Sequence, residues 1–256
     1  MRRTWRLVVG AAFLAGMALG ITGGPAAAQG GQCGGLPSTS ELRTALRNAA
    51  TGTGVAAILG PGTDAGGLFG GSRMWGAVVN RSGEVCAVIT STDDPTQTWP
   101  ISQAIAKAKA YTANSVSLDS FVLSTARLYT LVQPGHSLYG LNNSNPFDPD
   151  SLAAPDGRGN AGERRIAGGI ITFGGGVPLY RDGKIVGALG VSGDTSCADH
   201  EIAKRARDLL RLNPGAGPLT DDIIYTAVDG PSLFAHPMCV TTMRNGENLG
   251  DEPPAP

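Results

Sequence analysis

The chain has 256 residues, 41% hydrophobic, 5% aromatic and 16% charged, with 38 glycines and 17 prolines. That apolar fraction supports a real core, while the composition excludes a coiled coil, a collagen-like repeat and a charged disordered chain. Twenty basic against 21 acidic residues give a net charge of -1, so nothing implies sequence-independent nucleic-acid binding.

In chain order, the first segment reads as an address. Arg2, Arg3 and Arg6 precede an apolar run from Leu7 to Ile21, and Ala26-Ala27-Ala28 supplies small residues. This is the order of a secretory signal peptide over residues 1–28, and the run is short of the roughly 20 residues a spanning helix needs. Its removal takes three arginines and leaves a mature net charge of -4. The expectation is a protein exported to the periplasm or beyond, with no stable membrane span.

Cys33, Cys86, Cys197 and Cys239 all lie in the mature chain. An even count in an oxidising compartment points to two disulfides. Three connectivities are open, and the local pairs, Cys33 with Cys86 and Cys197 with Cys239, are the expectation. No Cys-x-x-Cys redox pair or haem-attachment motif occurs. Cys197 and His200 could supply two metal ligands, but a bridged Cys197 competes with that.

Ser38-Thr-Ser-Glu41 is a capping box, and Leu42, Ala45, Leu46 and Ala49 follow at helical spacing until Gly52. Residues 60–72 are Gly-rich. Trp75 to Val79 and Val85 to Ile89 predict a hairpin around Asn80 to Gly83. Two helices are then expected, one with Ile101, Ile105, Ala108 and Tyr111 on its inner face, the other with Leu118, Phe121, Val122, Thr125, Leu128 and Val132. Residues 133–163 form a polar loop. A second hairpin turns at Asp182-Gly183 between Val177 to Tyr180 and Lys184 to Val191. Ser196 with Asp199 can cap a helix whose inner face is Ile202, Ala203, Ala206, Leu209 and Leu210. A short strand near Ile223 to Tyr225 follows, and residues 246–256 read as a flexible tail. Hairpins interleaved with helices give an α+β single domain over residues 33–245, one antiparallel sheet covered by helices.

Familiar catalytic motifs fail. Gly190-Val-Ser192-Gly-Asp194 has Asp where a nucleophile elbow needs Gly. Gly183-Lys184 lacks the rest of a phosphate loop, and Gly174-Gly-Gly176 precedes a strand, not a helix. No carboxylate pair is placed for acid–base work, so no catalytic residue is assigned. Of the histidines, His200 falls in the first turn of a helix, where the dipole favours neutral imidazole. His136 falls in an exposed loop, and His236, near Cys239, reads as structural.

The run Gly174-Gly-Gly-Val-Pro-Leu-Tyr-Arg-Asp-Gly-Lys-Ile-Val-Gly-Ala-Leu-Gly-Val-Ser-Gly193, entering Asp194-Thr-Ser-Cys-Ala-Asp-His-Glu-Ile-Ala203, resembles the GlcG/HbpS family of haem-binding proteins. The same fold occurs as the C-terminal domain of PduO-type proteins. The first hairpin, Ala106-Lys-Ala-Lys-Ala-Tyr-Thr112 and Leu118 to Val132 fit as well, so the resemblance spans about residues 36–212. It implies a profilin-like sheet, a homo-oligomer and a tetrapyrrole ligand, haem or a corrinoid. No iron ligand carries across. His200, His136, Tyr111 and Thr112 are the candidates, because such side chains can coordinate or hydrogen-bond a haem. The implied role is haem capture, storage or protection. A sensing or structural module of the same fold is the alternative, and a haem-degrading or peroxidase-like enzyme a third.

Overall fold

A computed structural model describes residues 33–62, 64–149 and 165–253. The signal-peptide expectation and the second half of the polar loop lie outside the described residues.

The capping box forms as expected. Ser38 accepts from the Glu41 amide and Glu41 reaches back to the Ser38 amide, starting helix α1 (Thr39–Thr51), and Gly52 ends it in the left-handed region. Strands β1 (Trp75–Asn80) and β2 (Val85–Thr90) make the first hairpin, and β3 (Gly176–Arg181) and β4 (Lys184–Ser192) the second. The hairpins join through β1 and β4 into one antiparallel sheet of order β2-β1-β4-β3.

Helix α2 (Ser102–Val116) covers one face, and α1 with α3 (Ser196–Leu209) covers the other. The strands alternate accordingly. Val78, Leu189 and Val191 pack with Leu42, Leu46, Ile202 and Ala206, whereas Val79 and Ala188 pack with Ala110 and Ala113. The second layer is thin because it uses small residues. A side-chain carbon at Gly190 would collide with the carbonyl oxygen of Ala106 and approach the Ala110 amide at 2.5 Å.

That close approach corrects the expected inner face of α2. Of the expected face only Ala108 is fully buried, alongside Ala106, Lys109, Ala110 and Ala113, while Ile101 is 68% exposed and Ile105 and Tyr111 are half-buried. Bulky side chains cannot enter where backbone meets backbone.

The helix expected over Leu118 to Val132 is replaced by a turn and two 3-10 segments, Thr125–Leu128 and Thr130–Val132. Leu118 and Phe121 exchange backbone hydrogen bonds of 2.8 and 3.2 Å, and the Ser117 hydroxyl bridges both the amide and carbonyl of Leu123. Side-chain bonds of this kind compete with helix formation. The cap of α3 is Thr195, accepting from Ala198, not Ser196.

Beyond α3 the chain makes β5 (Ile224–Tyr225), the short helix α4 (Thr226–Asp229), β6 (Ala235–His236), β7 (Thr242–Arg244) and β8 (Glu247–Gly250). Residues 247–250, within the segment expected as a flexible tail, instead pair with β7, and Glu252 still donates to Cys239. This extension wraps the polar side of α3. Arg207 forks onto Asp221 at 2.6 and 3.0 Å, and Lys204 meets Asp222 at 2.7 Å and Asn245 at 2.6 Å. Both disulfides have the local connectivity, Cys33–Cys86 and Cys197–Cys239, with Cα separations of 5.5 and 6.0 Å.

Candidate functional site

The polar groups of this protein concentrate where the first turns of α3 meet the middle of α2 and the glycine run ahead of β3. Lys109 Nζ lies 2.6 Å from Asp199 Oδ2, donates to the Val191 carbonyl at 3.1 Å and sits 4.9 Å from the centre of the Phe173 ring. The Lys109 and Asp199 side chains are 0% and 2% exposed. Burial pushes the Asp199 carboxyl up to about 6 against the pull of Lys109, and burial lowers Lys109. Each charge exists there because the other does.

Asp199 also accepts the Asp194 amide at 2.9 Å. Asp194 in turn gathers the amides of Leu68 (2.6 Å), Phe69 (2.8 Å) and Thr195 (2.7 Å), which fastens the Gly-rich loop to the entry of α3. Sequence reasoning missed both Lys109 and Asp194. The available signal was a lysine within an otherwise small-residue helix face.

His200, on the next position of α3, is 1% exposed. Its Nε2 is 3.6 Å from Asp222 Oδ1, too long for a hydrogen bond. Burial alone would raise the Asp222 carboxyl, but the Lys204 ammonium 2.7 Å away outweighs it and holds it far below the usual carboxylate range.

His236 is the second buried histidine. It takes the Gly174 amide on Nε2 at 3.3 Å and holds the Pro237 carbonyl with Nδ1 at 2.6 Å, which places its proton on Nδ1. The rings of Tyr129 and Tyr225 flank it at 5.2 and 6.4 Å. Burial lowers its pKa to about 4.

An imidazole depressed from about 6.5 stabilises the fold fully above that pH, and its contribution is lost as pH falls towards 4. The expected loss is on the order of 3 kcal/mol. Urea unfolding of wild type and His236→Phe between pH 7 and pH 4 isolates it, because the opposite contribution of Asp199 is common to both. A wild-type-minus-variant difference independent of pH would contradict the buried neutral ring.

The four sequence candidates do not converge. Thr112 is fully buried and its hydroxyl is fully used, donating to Ala108 and accepting from Ile171. Tyr111 is half-buried and its hydroxyl accepts from Asn145 at 3.0 Å. His136 is half-buried, on a turn that exposes Leu138 (38%) and Tyr139 (69%). Only His200 belongs to the buried polar cluster. Two grooves of about 430 and 240 Å³ lie beside α1, one along Ser40, Thr44, Asn48 and Arg211, the other beside Gly35, Pro37 and Arg181, and neither includes a candidate.

This geometry supports tight fastening of one segment, and it leaves Lys109, Asp199 and His200 without an approach for a bulky molecule. Among the described residues no helix is long and apolar enough to cross a membrane.

The chain is 31% identical over 137 residues to the corrinoid adenosyltransferase PduO of Salmonella typhimurium, which covers 51% of this chain and 32% of that protein. It therefore spans about a third of the length of this relative. A crystal structure of the Klebsiella pneumoniae protein ORFY matches at 26% identity and a TM-score of 0.44, covering 68% of this chain and 88% of that one. The PduOC–haem complex matches at 24% identity and the same TM-score, with 68% and 92% covered. A family model described as haem degrading protein HbpS-like matches residues 68–208, more than half of the chain. That stretch contains both hairpins, α2 and all but the last residue of α3, the elements that build the buried cluster, and the chain belongs to the HbpS-like family.

Proposed function

We propose that this protein binds a tetrapyrrole outside the cytoplasm, with haem the first candidate and a corrinoid the alternative, and that it serves haem capture, storage or protection. The observation that carries the reading is the family match across the sheet, α2 and α3. Pairing of all four cysteines supports an oxidising location. A homo-oligomer remains part of the reading, and sizing of the mature chain tests it.

The macrocycle belongs at the surface, because His200 and Thr112 are only 1% and 0% exposed. His136, with Leu138 and Tyr139 exposed on the same turn, offers an imidazole beside apolar surface, the combination a haem face needs. It is the first iron ligand to test.

Titration of the disulfide-intact mature protein with haem is expected to give a saturable Soret shift at about one haem per chain or per dimer. His136→Ala should weaken binding roughly tenfold or more or shift the band, whereas His200→Ala should leave the band in place. No shift at micromolar protein defeats the haem reading, and cobalamin titrated in its place tests the corrinoid. The family description also favours haem degradation as a second reading. Soret decay with a reductant present would support it, and a stable band would leave binding alone.

A further inference from the structure

The sulfur atoms of Cys197 and Cys239 and a ring nitrogen of His236 all lie within 4.8 Å of one another, and all three residues are buried. As a disulfide, the two sulfurs are spent on each other. We propose that reduction of Cys197–Cys239 opens a metal site on this protein, a Cys2His centre for a soft cation, with three-coordinate Cu(I) the best fit.

Donor chemistry selects the ion. Two thiolates and an imidazole suit soft or borderline metals over calcium or magnesium. Among the described residues no fourth His, Cys, Asp or Glu joins the cluster, which favours a cation content with three ligands over tetrahedral zinc.

Local structure favours the thiolate form. Cys197 is the second residue of α3, and its amide points at the Cys239 sulfur at 3.2 Å, with the Ser196 hydroxyl at 3.5 Å. A sulfur at the amino end of a 14-residue helix is stabilised as an anion and as a leaving group in exchange. The ring is held by its Nδ1–H bond to Pro237 and flanked by two tyrosine rings, so the metal takes the Nε2 lone pair in place of the long 3.3 Å bond from the Gly174 amide and leaves the ring orientation unchanged. Two of the three ligands lie in the extension, outside residues 68–208, and the site does not depend on the tetrapyrrole reading.

The step balances with a dithiol as reductant. Its two electrons and two protons break the S–S bond and leave two cysteine thiols, while the dithiol closes to its own disulfide. Cu(I) then displaces the two thiol protons to solvent.

The test uses the mature chain, oxidised or reduced with a dithiol and desalted without oxygen, titrated with Cu(I) against a coloured Cu(I) chelator. The reduced protein is expected to take one Cu(I) per chain and the oxidised protein none. Cys33→Ser/Cys86→Ser, which removes the other disulfide, should keep the site. His236→Phe should weaken it at least about tenfold at an unchanged thiol count. Cys239→Ser removes a second ligand and should weaken the site as well, which keeps the test open should the phenylalanine variant fail to fold. Equal uptake by both redox forms, uptake that follows Cys33 and Cys86, full affinity in both ligand variants, or loss of the circular dichroism spectrum on reduction would each overturn the proposal.

Discussion

Lys109→Met is expected to destabilise the protein by about 3–5 kcal/mol, because it strands the Asp199 carboxylate in a buried site without its counter-charge. The pair is 0% and 2% exposed at 2.6 Å, so solvent screening does not discount the figure. The change also reaches the Gly-rich loop. Asp199 holds the Asp194 amide, and Asp194 holds the amides of Leu68 and Phe69. The double variant Lys109→Met/Asp199→Leu should recover most of the loss, since an apolar pair of similar volume replaces two charges that were costly to bury. Urea unfolding of the wild type, both single variants and the double variant closes the cycle. Additive losses would mean that the ion pair contributes nothing in solution.

Removing the second disulfide by Cys197→Ser/Cys239→Ser is the other large effect. The bridge spans 42 residues, and closing such a loop stabilises the fold by about 4 kcal/mol in the chain-entropy model. For a domain of this size that corresponds to a fall in Tm of roughly 8–16 °C. The extension should nevertheless stay on α3, because the Arg207–Asp221 and Lys204–Asp222 contacts and the β7–β8 hairpin do not depend on the bridge. Calorimetry measures the first statement, and protection of the Lys204 to Arg207 amides in hydrogen exchange measures the second. A loss under about 1 kcal/mol would assign the hold on the extension to the ion pairs instead.

Local grammar in this sequence is reliable wherever a structural decision is made by near neighbours. Ser38 and Glu41 specify the start of α1, Gly52 its end, and Asp182-Gly183 the second hairpin, since each is settled within a few residues by hydrogen-bonding geometry or left-handed backbone. The alternation of Val78 against Val79 and of Ala188 against Leu189 is legible as a sheet covered on both faces. The disulfide pairing is legible too, as the local solution among three.

Other features were decided at long range. The buried face of α2 follows from Gly190 and the backbone it admits, so Ile101 and Ile105 lose the core to alanines, of which periodicity places only Ala108. Leu118 to Val132 carries helical spacing, yet hydroxyl-to-backbone bonds from Ser117 win the local competition. The candidate site divides along the same line. His200 could be read from its place at a helix start, and the family run around Gly174 to Ala203 could be recognised. The partners that make the place unusual, Lys109 some 90 residues before Asp199 and His236 beside a bridge closed 42 residues apart, come together only by folding. Sequence determined α1, the two hairpins, α3 and the family they compose, because those choices rest on neighbours. Tertiary structure decided which charged and sulfur-bearing groups meet out of water, because burial and proximity are properties of the packed chain.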